Sequence, residues 1–144
     1  MIAVDTNLLV YAHRRDSEWH AAAAGVVRSL AEGAAPWAIP WPCLHEFLAI
    51  VTHPRIYRPA TTTGAALAQV AAWLESPSVV TLAEGSGYSE RLAGVLRESK
   101  ATGPRVHDAR VAALCLYHGV RELWSADRDF SRFAALKVSN PLVG

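Results

Sequence analysis

Length, composition and charge limit what this chain can be: its 144 residues suit a single domain over positions 1–144, because single domains commonly hold ~100–150 residues. The apolar share of 51% is enough for a substantial core, and the charged share of 19% is too small for a disordered, tail-like polymer. A net charge of +1 excludes a molecule-wide field that would attract nucleic acid, so any such binding needs a local basic patch.

Strand-like and helix-like segments alternate along the chain. Short apolar runs predict five strands, at positions 2–4, 38–39, 78–82, 121–125 and 136–138. Apolar residues at helical spacing predict six helices, at positions 6–11, 17–30, 43–52, 63–75, 88–99 and 109–118. This alternation predicts an α/β fold with a mostly parallel central sheet covered by helices on both faces.

Capping and breaking residues predict where these helices begin and end. Ser17 and Thr63 are expected to cap the second and fourth helices, and Asp108 to open the sixth. Pro54 is expected to end the third helix, because the residue before a proline is pushed out of the α region.

The cysteines and the absence of targeting patterns indicate a cytoplasmic protein. Cys43 and Cys115 stand alone in apolar surroundings and are expected to be reduced core residues. The N-terminal residues lack the basic and apolar regions of a secretory signal. No apolar run approaches the ~20 residues of a membrane span, so we expect no membrane insertion.

Four acidic residues stand where predicted elements begin or end: Asp5, Glu46, Asp108 and Asp127. Asp5 and Asp127 follow strands, so they would share the carboxyl edge of a parallel sheet, where ligands bind. Glu46 and Asp108 lie near the starts of helices and can turn toward the same crevice. Clustered carboxylates raise one another's pKa unless a cation neutralises them, and Mg²⁺ prefers such oxygen ligands. The pattern therefore predicts a divalent-metal site for phosphoryl chemistry.

Each of these acids also has an ordinary structural interpretation. Asp5 suits a turn, Glu46 can extend from an apolar helix face into solvent, and Asp108 can complement a helix dipole. Asp127 beside Arg128 suits a solvated turn with a surface ion pair. The four acids taken singly leave the function open.

Four short motifs follow one another along the chain: Asp5-Thr6-Asn7-Leu8-Leu9, Glu46 within its helix, Asp108 before an alanine-rich helix, and Ser125-Ala126-Asp127-Arg128-Asp129-Phe130. Their order and spacing resemble the PIN domain and, more narrowly, the VapC toxins of bacterial toxin–antitoxin pairs. The similarity covers essentially the whole chain. It implies a three-layer α/β/α sandwich and a Mg²⁺- or Mn²⁺-dependent endoribonuclease that cleaves structured RNA.

The resemblance also implies roles for individual residues and partners. The acidic quartet of the family is matched by Asp5, Glu46, Asp108 and Asp127. Ser125 matches the family's hydroxyl position, Thr6 and Asn7 are expected to hydrogen-bond Asp5, and Asp129 is the weaker match. A homodimer is implied, as is a VapB-like antitoxin that inserts a segment over the acidic pocket.

An RNA substrate would have to be held through its phosphates. Three basic groups flank the proposed acids in sequence: Arg14-Arg15, His53 to Arg58, and the set Arg97, Lys100, Arg105 and Arg110. Trp37 and Trp41 lie among prolines near Glu46 and suit either the core or a surface that binds a partner or stacks on bases.

Two other functions remain open from sequence. A non-catalytic PIN-like module would bind RNA or a protein without cleaving it. A haloacid-dehalogenase-type phosphatase also uses an aspartate that ends the first strand, but it needs a second acid two positions later, where this chain has Asn7. The six histidines show no zinc-binding spacing, and no phosphate-binding glycine loop is present.

Overall fold

A computed structural model describes residues 1–143. Its strands are β1 Ile2–Val4, β2 Trp37–Pro40, β3 Val79–Leu82, β4 Glu122–Trp124 and β5 Lys137–Ser139. Its helices are α1 Thr6–His13, α2 His20–Glu32, α3 Trp41–Val51, α4 Thr63–Leu74, α5 Tyr88–Ser99 and α6 Arg105–Tyr117, and a 3₁₀ helix spans Arg128–Arg132. None of these helices is long and apolar enough to cross a bilayer.

The five strands form one sheet in the order β3-β2-β1-β4-β5, and every neighbouring pair is parallel. Helices α1 to α4 connect the strands from β1 to β3, and α5 and α6 return the chain to β4. Because crossovers between parallel strands are right-handed, steps in opposite directions along the sheet place their helices on opposite faces. The predicted α/β sandwich with a parallel central sheet is therefore confirmed.

The direction of chain winding reverses between β1 and β4, which are neighbours in the centre of the sheet. At such a point the loops leaving the two strands separate to opposite faces and open a crevice at the carboxyl edge. Asp5 directly follows β1 and Ser125 directly follows β4, so both residues lie at this crevice.

Phe47 joins the helices on one side of the sheet. Its ring is fully buried and makes edge-on contacts with Trp73 of α4, at 4.8 Å between centroids, and with His13 of α1, at 5.3 Å. Such pairs contribute roughly 0.5–1.5 kcal/mol beyond the burial of apolar area. Phe47 thereby fixes the position of α3, the helix that carries Glu46.

The predicted starts of three helices were wrong by one to four residues. Helix α6 begins at Arg105, so Asp108 lies in its first turn and does not open it, because Pro104 has a φ of −59° and starts the helix early. Thr62 caps α4 in place of Thr63, and its hydroxyl accepts the Ala65 N–H at 3.2 Å. Helix α2 begins at His20, since Ser17 caps a preceding turn by accepting the Trp19 N–H.

Replacement of Phe47 by alanine should lower the free energy of unfolding by about 3–5 kcal/mol, because it removes a buried ring and leaves a cavity among three helices. Urea denaturation followed by tryptophan fluorescence measures the effect. The matched control is Leu67→Ala on the exposed side of α4, which should change stability by less than about 0.5 kcal/mol. Equal losses in both variants would contradict this account of α3.

Candidate active site

Asp5 is a buried carboxylate at the centre of the site. Only 6% of the residue is exposed, and its backbone N–H donates to the Trp124 carbonyl at 3.0 Å, which extends the pairing of β1 with β4. The Ser125 hydroxyl donates to Asp5 Oδ2 at 2.7 Å. The carboxylate is therefore held at the end of one strand by a side chain from the end of its neighbour.

Asn7 and Ser125 complete a network around Asp5. Asn7 Nδ2 donates to Ser125 Oγ at 3.1 Å and to Asp5 Oδ2 at 3.4 Å, while Asn7 Oδ1 accepts the Ala126 N–H at 3.2 Å. Ser125 Oγ also accepts the Asp127 N–H at 3.0 Å. These bonds fix the loop after β4, and the predicted contact of Asn7 with Asp5 is confirmed.

Thr6 does not make the predicted side-chain bond to Asp5. Its Oγ1 is buried and has no hydrogen-bond partner within the described residues. The backbone N–H of Thr6 acts on Asp5 instead by lowering the pKa of its carboxyl, because Asp5 is the N-cap of α1 and its side chain lies near the first free amides of that helix, although it makes no cap hydrogen bond. Sequence spacing alone could not separate these two ways of contacting the same carboxylate.

The pKa of Asp5 is raised above its ordinary range. Burial is the main cause, and the negative charge of Asp108 adds to it. Hydrogen bonds from Ser125, from the Thr6 backbone and from the Cys43 thiol, whose sulfur lies 3.6 Å from Oδ1, act in the opposite direction. Burial in turn raises the pKa of Cys43, so this thiol stays protonated.

Glu46 lies one helical turn beyond Cys43 on α3, and residues three apart share a face of a helix. Glu46 is exposed, but partial desolvation raises the pKa of its carboxyl, and the charges of Asp5, Asp108 and Asp127 raise it further. His107 acts in the opposite direction. Glu46 therefore faces the same region as the other three acids.

Asp108 and Asp127 approach the cluster from the other side. Desolvation raises the pKa of Asp108, the charge of Asp127 adds to this, and a hydrogen bond from Arg105 opposes it. Asp127 caps the 3₁₀ helix, because its Oδ1 accepts the Asp129 N–H at 2.9 Å. The structure thus brings the four predicted acids into one electrostatically coupled group.

The acids repel one another in the arrangement that the structure shows. Within residues 1–143, no three His, Cys, Asp or Glu side chains stand close enough to hold a metal ion between them. Asp5 is fixed by its hydrogen bonds, whereas Glu46 is exposed and free to turn. The donor set fits a hard cation, since three carboxyl pKa values are raised partly by neighbouring negative charge and a cation would relieve that repulsion.

Arg105 is an ion-pair partner of the acidic residues. The sequence interpretation had instead grouped it with the cations that could contact RNA. Its guanidinium contacts both Asp108, at 3.3 Å from Nη1 to Oδ2, and Asp129. The spacing of Arg105 and Asp108, three residues apart, is the signal that could have shown this pair once the true helix start was known. Arg105 partly neutralises the cluster and connects Asp129 to it.

The two tryptophans near Glu46 have different positions. Trp37 is fully buried, and its Nε1 donates to Ser76 Oγ at 3.1 Å, so the interpretation of Trp37 as a stacking surface was wrong. It fails because β2 is an interior strand, whose residues are covered on both faces. Trp41 is half-buried at the start of α3 and packs against His45, with 6.0 Å between ring centroids.

Together, the parallel sheet, its central switch point and the coupled carboxylates define an α/β protein with an acidic site at the carboxyl edge. The family profile of the PIN domain matches residues 2–136 of the chain. The VapC ribonuclease Mb2897 of Mycobacterium bovis is 35% identical over 144 residues, which cover 100% of this chain and 97% of that protein. Ribonuclease VapC33 of Mycobacterium tuberculosis is 32% identical, with 99% of each chain covered. The chain therefore belongs to the PIN domain family and, within it, to the VapC ribonucleases.

Solved structures show the same fold. VapBC2 from Rickettsia felis, bound to a DNA fragment from its promoter, superposes with a TM-score of 0.69 at 16% identity, over 97% of this chain and 98% of that one. Mycobacterium tuberculosis VapC20, described as a Sarcin-Ricin loop cleaving toxin, superposes with a TM-score of 0.66 at 20% identity, over 91% and 93% of the two chains.

Replacement of Ser125 by alanine should raise the pKa of Asp5 further, because the hydroxyl donates to the ionised carboxylate and stabilises that form. Titration of the aspartate carboxyl carbons by ¹³C NMR measures the shift. Ser29→Ala, which removes an exposed hydroxyl on α2, is the control and should leave the Asp5 titration unchanged. A titration of Asp5 that is identical in wild type and Ser125→Ala would refute this role.

Replacement of Asp108 by asparagine should stabilise the protein at neutral pH in metal-free buffer. The folded protein holds the Asp108 proton to higher pH than the unfolded chain, whose carboxyl titrates at about 3.9, so stability is lost as pH rises through the folded pKa. The neutral amide avoids that loss, and we expect Tm to rise by on the order of 2 °C at pH 7. The gain should disappear near pH 3, where Asp108 is protonated in both states.

The control for this variant is Asp16→Asn, because the pKa shift of Asp16 is opposite in direction to that of Asp108. A hydrogen bond from Arg14 lowers the pKa of Asp16, so its ionised form is favoured in the folded protein and its neutralisation should not raise Tm. Thermal unfolding of both variants from pH 3 to pH 8 separates the two cases. A lower Tm for Asp108→Asn at pH 7 would contradict the repulsion described for the cluster.

Proposed function

We propose that this chain is the toxin of a type II toxin–antitoxin pair and acts as a Mg²⁺-dependent endoribonuclease that hydrolyses phosphodiester bonds in structured RNA. The observation that carries the proposal is the buried Asp5 carboxylate, held by Ser125 at the switch point of the sheet beside three further acids. Membership of the VapC ribonucleases supports the reaction, and the name of VapC20 supports a folded RNA as substrate.

Asp5, Glu46, Asp108 and Asp127 are the residues that would hold Mg²⁺, or Mn²⁺ in its place. When bound, such a cation supplies positive charge to the phosphate under attack and makes water a better nucleophile. The protein contributes orientation: Ser125 and Asn7 keep Asp5 Oδ2 in one position, and the Asp127 backbone is tied to the same hydroxyl. Arg105 limits the repulsion between Asp108 and Asp129 before substrate arrives.

Related structures also support the proposed partners. The Rickettsia felis structure and a second one, of DNA-bound VapBC from Salmonella typhimurium, are named as VapBC complexes. We extend this to a VapB-like antitoxin that covers the acidic site of this chain and blocks it in the cytoplasm, and to a homodimer of the toxin. The alternative is a non-catalytic module that only binds RNA. The wild-type protein would then cleave no RNA, and substitutions in the acidic site would have no cleavage activity to reduce.

Replacement of Asp5 by asparagine or of Glu46 by glutamine should reduce RNA cleavage by at least about 100-fold and remove growth inhibition, because each removes a carboxylate from the proposed cation site. Cleavage of a labelled stem-loop RNA by purified protein, with Mg²⁺ or with EDTA, measures the effect. Glu98→Gln, an exposed change on α5, is the matched control and should cleave like wild type.

The outcome separates the two functions. Cleavage that requires a divalent cation and is lost in both site variants, with unchanged circular dichroism, supports the ribonuclease. Full cleavage by Asp5→Asn would exclude this site. RNA binding that persists in EDTA, with no cleavage by the antitoxin-free wild type at any metal concentration, would favour the non-catalytic module.

A further inference from the structure

The loop between α3 and α4 carries positive charge and no acidic residue. We call residues 53–59, from His53 to Pro59, the basic loop. From Phe47 to Leu74 the sequence contains no Asp or Glu, and its only permanent charges are Arg55 and Arg58. Both arginines are exposed. A nearly neutral molecule therefore has a local positive surface here, of the kind that binding to phosphates requires.

Ion pairing occupies Arg14, Arg105 and Arg110 in the other basic groups, whereas Arg15, Arg97 and Lys100 form no ion pair within the described residues. Arg14 is paired with Asp16 at 2.6 Å, Arg110 with Glu84 at 2.7 Å, and Arg105 with Asp108 and Asp129. In the part of the chain that the structure describes, Arg55 and Arg58 form no ion pair. Their charges are available to a partner without first breaking an internal contact.

Arg14 holds the basic loop in place. Its guanidinium stacks on the Tyr57 ring, 4.2 Å from the ring centroid, and its Nη1 donates to the Pro59 carbonyl at 3.0 Å and to Thr61 Oγ1 at 3.2 Å. Asp16 cancels the charge of Arg14 from the other side. Arg14 thus holds the loop in place without adding net charge to it. The net positive charge of the loop comes from Arg55 and Arg58.

Further contacts make the loop a preorganised surface. His13 bonds Thr61 Oγ1 at 3.0 Å and Gln69 Oε1 at 3.1 Å, which ties the end of α1 to α4 behind the loop. Within the loop, the N–H groups of Ile56 and Tyr57 both donate to the His53 carbonyl at 3.1 Å. A surface that is already ordered loses less entropy when it binds.

The basic loop is continuous with the helix that carries Glu46. Helix α3 ends at Val51, five positions after Glu46 and about 7.5 Å further along the helix axis, and the loop begins two residues later at His53. The side chain of Ile56, with 53% of the residue exposed, adds apolar surface beside the two arginines.

We propose that the basic loop binds RNA, with Arg55 and Arg58 contacting backbone phosphates of the substrate at a distance from the cleaved bond. This inference rests on the proposed ribonuclease function and assigns it a second substrate contact outside the acidic site. Free positive charge and internal clamping both favour an RNA backbone as the occupant. An acidic segment of a protein partner is the competing occupant.

The test is the double variant Arg55→Gln/Arg58→Gln, compared with Arg28→Gln/Arg91→Gln, which removes two exposed arginines from α2 and α5. A fluorescein-labelled stem-loop RNA of about 20 nucleotides is titrated with each protein in EDTA, which prevents cleavage, and anisotropy gives Kd at several NaCl concentrations. Loss of two phosphate contacts should weaken binding by on the order of tenfold and reduce the slope of log Kd against log salt by about 1.5. The control should match wild type in both quantities.

A third variant tests the clamp separately from charge. Tyr57→Leu removes the ring under Arg14 while keeping Arg55 and Arg58, so it should weaken RNA binding by about threefold without reducing the salt slope. Circular dichroism and thermal unfolding establish that each variant is folded.

The results distinguish this inference from the ribonuclease itself. Weaker binding by the loop variant alone supports the proposal, even if wild type fails to cleave and the proposed function is lost. If the loop variant binds RNA with the affinity and salt slope of wild type, the proposal is overturned. This holds even if the variant binds the antitoxin less tightly. A wild-type protein that does not bind the RNA at all overturns both.

Discussion

The hydrogen bond from the Ser125 hydroxyl to Asp5 Oδ2 is the contact on which the geometry of the site depends. It connects residues 120 positions apart, at the ends of β1 and β4, where the winding of the sheet reverses. The same hydroxyl accepts from Asn7 and from the Asp127 backbone, so the donor and both acceptor positions of one oxygen are used. Because a buried carboxylate without partners would be costly, the position of Asp5 depends on this network.

The arrangement stores electrostatic repulsion at the site. Burial and mutual charge raise the carboxyl pKa values of Asp5, Glu46 and Asp108, which means that their ionised forms are disfavoured in the folded protein. A chain selected only for stability would replace such a group with neutral side chains. Its presence, with Arg105 as a partial counter-ion, is the physical reason to regard the cluster as functional.

The two regions proposed here, the acidic site and the basic loop, would have separate roles in cleaving and in binding RNA. The acidic site repels a phosphate backbone unless a cation is present, and the molecule as a whole is close to neutral. In the proposed ribonuclease, attraction for RNA comes from a separate region, the basic loop, whose positive charge lies outside the acidic pocket. Relatives that share about a third of their residues over the whole length have room to differ at such a loop.

The sequence by itself determined the α/β class, the parallel sheet and the family, and it proposed the four acids, because strand and helix periodicity and the short acidic motifs are local properties. It misplaced the start of α6 by four residues and left Trp37 open between a surface and the core, since neither the turn at Gly103-Pro104 nor the burial of an interior strand can be read from spacing. Only the tertiary structure decided which cations are free: Arg110 pairs with Glu84 across 26 positions, and Arg105 turns to the acids. Contacts between distant residues depend on the packing of whole elements, and that packing leaves Arg55 and Arg58 without an ion pair within residues 1–143.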